Sequence, residues 1–265
     1  MRFSAQSPTQ LTDNREHVDP GWYKQSLPSY GQTGIRPEDV KMELRFANAK
    51  VITGSFDTKQ VRQELKDDNN GNTHEYEEDG EHAGFTEFVR ANQDTSADAW
   101  GVAGGKLVHA DRIRGSTYSG QDAVAATDVL EGIVDAKHGD GKRYAAESED
   151  FSTLVNHLGS GTFLFGSTRS EAVGADQADA ESGSFEGTVA GGTALAINGE
   201  KSQYKEVYVF EDTDAVDTGD VEDYVEANDV GSRTLAKLDD PSVNQKGRAV
   251  VVSGSAPIYR LSLSS

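Results

Sequence analysis

The sequence predicts an α+β protein of two related strand–helix–strand–strand units, ferredoxin-like with antiparallel sheets, and a helical pair between them. Alternating apolar and polar residues predict strands in the first and last thirds, and apolar residues at helical spacing predict helices in the middle. An internal likeness supports the duplication. Phe56–Val61 and Val216–Val221, 160 residues apart, share an apolar-Asp-Thr-x-x-Val pattern within the same order of elements.

The predicted elements divide the chain into four segments, of which the first two cover residues 1–34 and 35–125. Residues 1–34 form a polar N-terminal arm. Residues 35–125 form the first unit, which begins with alternating strand between Val40 and Phe56. A helix capped by Asp57 or Thr58 follows, and then a strand at Gly84–Arg90.

A hairpin closes the first unit. Two glycines, Gly104-Gly105, are a two-residue turn signal between the apolar segments Ala97–Ala103 and Lys106–Ala110. Residues 126–160 are expected to hold the helical pair, because apolar residues recur there on one helical face and glycines end each helix. Residues 161–265 then form the second unit.

The charge of the chain indicates the salt environment of the protein rather than its activity. There are 45 acidic and 25 basic residues, which give a formal net charge of −20. Such a surface is typical of a halophilic protein, because at molar salt the Debye length falls to about 3 Å and self-repulsion is screened. An ordinary acidic domain is the alternative.

The same composition excludes several function classes. Nucleic-acid binding needs clustered Lys and Arg, and anionic membranes repel an acidic surface. The absence of cysteine removes disulfides, thiolate metal sites and cysteine nucleophiles. No apolar run approaches the ~20 residues that cross a bilayer, so direct membrane insertion is not expected. The polar start after Met1 contains no signal-peptide core.

Catalytic motifs are absent from the sequence, and we expect no catalytic or cofactor-binding residues and no cofactor. Calcium is the metal to consider in so acidic a chain. Asp68, Asn70 and Asn72 have the first, third and fifth positions of a calcium loop, but Thr73 stands where glycine is required. A solvated turn is therefore the favoured interpretation, and these three residues are weak metal-site candidates.

Two histidines, His74 and His82, flank a run of acidic residues. Imidazole and carboxylate ligands together suit a divalent cation. A solvated acidic loop is the favoured interpretation, because the run shows neither helical nor strand spacing of its ligands, and a divalent-cation site is the alternative.

Three aromatic residues at the end of the arm, Trp22, Tyr23 and Tyr30, are the predicted partner contacts. A free polar tail would be disordered, so an ordered arm implies that the body of the protein or a neighbouring subunit holds it. We therefore expect a protein partner or self-assembly.

Several segments of the sequence resemble those of a family of uncharacterised envelope proteins of halophilic archaea. They are Ile35–Val40, Val51–Asp57, Asp128–Gly141 and Glu149–Thr162. Members are typically lipoproteins exported through a twin-arginine signal, with a lipid-bearing cysteine. This chain has neither signal nor cysteine. The resemblance implies a cell-envelope or extracellular location and carries no catalytic residues; a cytoplasmic or virion location is the alternative.

These observations together predict a non-enzymatic structural or interaction protein of a halophilic archaeon or its virus, which works through assembly or partner contacts in high salt. The alternative is a module of the cell envelope that binds a small ligand or a divalent cation.

Overall fold

The computed structural model describes residues 1–67, 75–91, 96–115, 122–227 and 235–257. The chain folds into two compact units, each assembled from discontinuous segments. The N-unit comprises Ser7–Thr12 and Leu27–Arg143. The C-unit comprises Met1–Gln6, Asp13–Ser26 and Tyr144–Ser265.

The described residues form twelve strands and seven α-helices. The strands are β1 (Arg2–Gln6), β2 (Val40–Arg45), β3 (Ala49–Gly54), β4 (Tyr76–His82), β5 (Phe85–Arg90), β6 (Asp98–Ala103), β7 (Lys106–Asp111), β8 (Phe163–Thr168), β9 (Thr188–Asn198), β10 (Lys201–Phe210), β11 (Asp239–Lys246) and β12 (Ala249–Pro257). The helices are α1 (Pro8–Asp13), α2 (Pro20–Ser26), α3 (Thr58–Lys66), α4 (Ala126–His138), α5 (Tyr144–Glu147), α6 (Glu149–Leu158) and α7 (Thr218–Ala227).

Both helix and strand are well represented, at 31% and 39% of residues, and the sheet is antiparallel. The predicted α+β class is therefore confirmed. Within the N-unit the strand order is β2-β3-β7-β6-β5-β4, and within the C-unit it is β1-β8-β9-β10-β12-β11.

The N-unit sheet is covered by a helix on each face. Successive residues of a strand point to opposite faces, so each strand supplies both layers. One layer packs with α3 and buries Val40, Ile52, Val61, Leu65, Phe88, Trp100, Val102 and Leu107. The other layer packs with α4 and buries Phe85, Val89, Ala99, Val108, Ala110, Leu130 and Val134. A sheet buried on both faces has room for polar side chains only where they are paired or bind something.

The C-unit sheet packs against α6 on one face. Leu154 and Leu158 of that helix lie against Val207 and Val209 of β10. The helix begins at a capped residue, because the Ser148 hydroxyl accepts a hydrogen bond from the Phe151 N–H. The apolar run of β10, Val207–Phe210, is the part of the strand that this packing buries.

The first 34 residues are integrated into the two units rather than forming a separate arm. β1 pairs with β8 in the C-unit, where Phe3 lies opposite Gly166. In the N-unit the Thr9 hydroxyl donates to the Val40 carbonyl at 2.5 Å, and Leu11 is 1% exposed. The alternating sequence of Arg2–Gln6 is short, and its partner strand lies more than 150 residues away, so local pattern gives no sign of the pairing.

The predicted helical pair of residues 126–160 divides between the units. α4 belongs to the N-unit and packs on β6 and β7, whereas α6 belongs to the C-unit and packs on β9 and β10. The predicted boundaries therefore differ from the observed ones, because two amphipathic helices that are adjacent in the sequence bury their apolar faces on the strands of different units.

Two local predictions differ from the structure. The acidic run of residues 75–82, interpreted as a loop, forms edge strand β4, which pairs with β5 through a bulge between Glu78 and Gly80. In the last third, the sequence also predicts a strand at Arg233–Leu238, and the described part of this segment forms a 3-10 turn at Leu235–Lys237 instead. Pairing with a neighbouring strand decides both cases, and composition alone does not reveal it.

Both helices that begin after an Asp-Thr pair are confirmed. Asp57 accepts a hydrogen bond from the Lys59 N–H at 2.8 Å, and Asp217 accepts one from the Gly219 N–H at 2.9 Å. The helices bury matching residues one turn apart, Val61 and Leu65 in α3 and Val221 and Val225 in α7.

Among the described residues, no helix combines the length and the apolar character needed to span a bilayer.

Candidate metal centre

The candidate site lies at the open end of the β6–β7 hairpin in the N-unit. Gly105 occupies the turn with a φ of +65°, a conformation that favours glycine. The two-residue turn sets the pairing, which places Asp98 opposite Asp111 and Trp100 opposite His109. The Arg112 N–H donates to the Ala97 carbonyl at 3.0 Å, so the pairing continues past the site and fixes its register.

Three of these residues bring ligand atoms together. Asp98, His109 and Asp111 point to the α3 face of the sheet, because they alternate with Ala99 and Ala110 of the opposite layer. One nitrogen of His109 and one carboxylate oxygen from each aspartate lie within 4.8 Å of one another. Asp98 is buried, His109 is half-buried and Asp111 is exposed. The cluster therefore opens to solvent on the Asp111 side.

Asp98 is the unusual member of the cluster. It is 3% exposed, and its Oδ2 accepts a hydrogen bond from Arg90 Nε at 2.6 Å. Its Oδ1 is also buried, and no donor among the described residues meets hydrogen-bond geometry with it. A buried carboxylate oxygen without a partner is costly, which points to a donor or cation that completes the site.

His109 is held by ring stacking and is kept neutral. Its imidazole lies 4.2 Å from the Trp100 ring at an interplanar angle of 35°. Burial lowers the pKa of His109 to about 4, and the nearby charge of Lys50 contributes to the same shift. The imidazole is therefore unprotonated at neutral pH, which is the form that binds metals.

Asp111 faces a like charge across the hairpin. Carboxylates directly opposite each other in an antiparallel pair repel. Burial raises the pKa of Asp111, and the charge of Asp98 raises it further, while Lys50 and Arg90 oppose the shift. A cation placed between the two carboxylates would relieve this repulsion.

The cluster also contains a phenol and an ammonium group. Burial raises the pKa of Tyr76 to about 12, and the charge of the Asp98 carboxylate and hydrogen bonding to it raise this pKa further, so the phenol stays protonated. Its ring meets Trp100 edge-on, with centroids 6.5 Å apart. Lys50 Nζ lies 5.0 Å from the Trp100 centroid, and burial lowers the pKa of this lysine.

The sequence-based metal candidates Asp68, Asn70 and Asn72 lie outside the described residues, as does His74. His82 lies in β4, where its Nε2 is 2.7 Å from Asp135 Oδ1. The His82 imidazole, a candidate cation ligand in the sequence, is therefore paired with Asp135.

The predicted partner contacts lie in different units. Trp22 and Tyr23 are half-buried in α2 of the C-unit, where the Trp22 ring meets Phe163 edge-on with centroids 5.6 Å apart. Tyr30 is 6% exposed and belongs to the core of the N-unit. Their role in partner binding stays a prediction, and Tyr30 has little surface to offer.

Sequence reasoning missed Asp98, His109 and Asp111 as a group, although the sequence contains the signal. Once Gly104-Gly105 is assigned as a two-residue turn, residues at equal distances from it must pair. Asp98 and Asp111 are both six residues outside that turn, and Trp100 and His109 are both four residues outside it. The pairing of the hairpin alone would have placed the three ligands on one face.

No family model and no curated protein matches this sequence. Crystal forms I, III and IV of TP0453, a bacterial protein, match at 8%, 8% and 9% identity over 98% of this chain and 90–91% of that chain. Their TM-scores are 0.47, 0.49 and 0.50. At this identity the likeness concerns the fold alone and assigns no ligand or site residue.

Proposed function

We propose that this chain is a divalent-cation-binding protein whose ligands are Asp98, His109 and Asp111. A single observation carries the proposal: a carboxylate that is 3% exposed has a buried Oδ1 without a hydrogen-bond partner among the described residues, beside a neutral imidazole and a second carboxylate. Arg90 compensates the Oδ2 of this carboxylate, and burial of the Oδ1 is favourable only when a further donor or cation completes its surroundings.

The ligand set indicates the class of ion. One imidazole nitrogen and two carboxylate oxygens suit first-row divalent metals such as Zn²⁺ and Mn²⁺ better than Ca²⁺, which prefers six or more oxygens. Bonds of about 2.1 Å in tetrahedral geometry place ligand atoms about 3.4 Å apart. The three ligand atoms lie within 4.8 Å, so small side-chain rotations bring them to this separation. Three protein ligands leave a further position for water.

Calorimetric titration of the purified protein with Zn²⁺ and with Mn²⁺, in molar KCl at neutral pH, tests the proposal. We expect binding of one ion per chain in the wild type. Because loss of a supporting residue alone costs 10–100-fold in affinity, Asp98→Asn and His109→Gln should each weaken binding by more than about 100-fold.

His138→Gln is the matched control, because His138 is exposed at the end of α4 and lies outside the cluster. Its affinity should equal that of the wild type. Absence of binding in the wild type, or equal affinity in Asp98→Asn, would show that Arg90 and Lys50 alone neutralise the carboxylates and would refute the proposal.

The proposed role is binding without catalysis, in a salt-adapted protein of the cell envelope or, as the alternative, of the cytoplasm or a virion. The exposed acidic residues of edge strand β4 support the salt adaptation. They are Glu77, Glu78, Asp79 and Glu81. Far-ultraviolet circular dichroism in dilute buffer and in molar KCl tests this setting, because a salt-adapted fold loses structure when its surface charges are unscreened.

Assembly with a partner is the second candidate function. It is favoured by the half-buried aromatic residues Trp22 and Tyr23 of α2, which retain surface for a contact. Sedimentation of the wild type and of Trp22→Ser in high salt tests it, and a wild-type monomer would count against self-assembly. Duplication of a strand–helix–strand–strand unit is a further part of the proposal, supported by the matching caps at Asp57 and Asp217.

A further inference from the structure

A positive side chain already lies beside the proposed cation site. Lys50 belongs to β3, and its Cα is paired with that of His109 across the β3–β7 ladder. Its Nζ lies 5.0 Å from the centroid of the Trp100 ring, and that ring stacks on His109 at 4.2 Å. The ammonium group therefore lies along the same face of the sheet as the three ligands.

The charge of Lys50 acts on the ligands in the direction that a bound cation would. It is attracted by Asp111 and by Glu43, a residue of β2 that is 0% exposed. It also disfavours the protonated form of His109. In the metal-free protein, Lys50 together with Arg90 thus offsets the repulsion between the opposed carboxylates.

A divalent ion at the site would add two positive charges next to this ammonium. Like charges at short range in a half-buried site repel strongly, because solvent screens them poorly. The lysine stem is flexible and its ammonium is readily hydrated, so the side chain can turn towards the solvent on the open side. Arg90 is held differently, since it donates directly to Asp98 Oδ2 at 2.6 Å.

We infer that Lys50 is an internal counter-cation, which occupies the neighbourhood of the site in the metal-free protein and is displaced when a divalent ion binds. The inference rests on the proposed function, because it concerns the same three ligands. Lys50 lowers the affinity of the site for a divalent ion. In the metal-free protein its positive charge offsets the repulsion between Asp98 and Asp111 and so stabilises the fold.

Calorimetric titration with Zn²⁺ of variants at position 50 tests this inference. Removal of the charge in Lys50→Gln should tighten binding by about tenfold or more, because the competing cation is gone. Lys50→Met should act in the same direction, and it keeps an apolar stem against Trp100 in case Gln disturbs the packing. Lys50→Arg retains the charge and should stay within about threefold of the wild type.

Lys41→Gln is the control, because Lys41 is an exposed residue of the neighbouring strand β2. Near-ultraviolet circular dichroism of each metal-free variant checks that the Trp100 environment is intact. Unchanged or weaker Zn²⁺ binding in Lys50→Gln and Lys50→Met overturns the inference, and so does equal tightening in Lys50→Arg, which would assign the effect to packing. Absence of Zn²⁺ binding in the wild type and in all three variants instead refutes the proposed function itself.

Discussion

Two buried carboxylates, Glu206 in the C-unit and Asp98 in the N-unit, are satisfied differently. In the C-unit, Glu206 of β10 is 9% exposed and accepts a hydrogen bond on each oxygen, from the Tyr204 hydroxyl on Oε1 and from the Tyr208 hydroxyl on Oε2 at 2.6 Å. In the N-unit, Asp98 has one oxygen on Arg90 and the other without a partner among the described residues.

The difference teaches how a structural carboxylate can be told from a ligand. Burial and the charge of Glu206 raise the pKa of both tyrosines well above the ordinary value, so the phenols remain donors and the group is complete in itself. Asp98 has Arg90 on one oxygen only; its other oxygen meets no donor among the described residues and lies beside a second carboxylate and a neutral imidazole. Three predictions test this contrast.

The largest expected effect is on the closed cluster. Glu206→Ala leaves the hydroxyls of Tyr204 and Tyr208 without this acceptor, and each such group costs about 1–3 kcal/mol when buried, so the free energy of unfolding should fall by about 2–6 kcal/mol. Tyr204→Phe, which removes one donor, should cost less. Guanidinium unfolding in molar KCl measures both. A loss below about 1 kcal/mol for Glu206→Ala would mean that the cluster is not structural.

The second prediction concerns histidines of the N-unit in the metal-free protein. The pKa of His109 is lowered to about 4, so its stabilisation is complete above pH 6.5 and is lost as the pH falls towards 4; the shift corresponds to roughly 3 kcal/mol. The hydrogen bond that His82 donates to Asp135 raises the pKa of His82, so its stabilisation is present below pH 6.5 and is lost as the pH rises through the raised value.

Nuclear magnetic resonance titration of the imidazole signals, assigned with His109→Gln and His82→Gln, measures both values. The two histidines should titrate on opposite sides of pH 6.5. If both histidines titrated near pH 6.5, His109 would not be held in the neutral form on which the proposed metal centre depends.

The smallest expected effect separates stability from binding. Asp111→Asn removes one of two opposed charges, so in the metal-free protein the free energy of unfolding should rise by about 0.2–1 kcal/mol. The same change should abolish Zn²⁺ binding. Asp140→Asn, at an exposed residue after α4, should alter neither. A loss of stability in metal-free Asp111→Asn would indicate that Asp111 serves the fold rather than a ligand.

Much of the site was predictable from local sequence. The turn at Gly104-Gly105 fixes the register of the hairpin, and with it the opposition of Asp98 and Asp111. The position of Lys50 beside His109 could not be predicted from local sequence, because the β3–β7 pairing that produces it joins residues 59 positions apart. Edge strand β4 was missed for a related reason: its acidic composition hides a strand that exists through pairing with β5.

The sequence by itself determined the α+β class, the β6–β7 hairpin, the amphipathic helices α3 and α7 with their Asp caps, and the acidic character of the chain. All of these depend on residues close together in the chain, through periodicity, turns and composition. Tertiary structure alone decided which segments form each unit, how deeply Asp98 is buried, and which charges surround it. Those features depend on strand pairs distant in sequence, whose register no local pattern specifies.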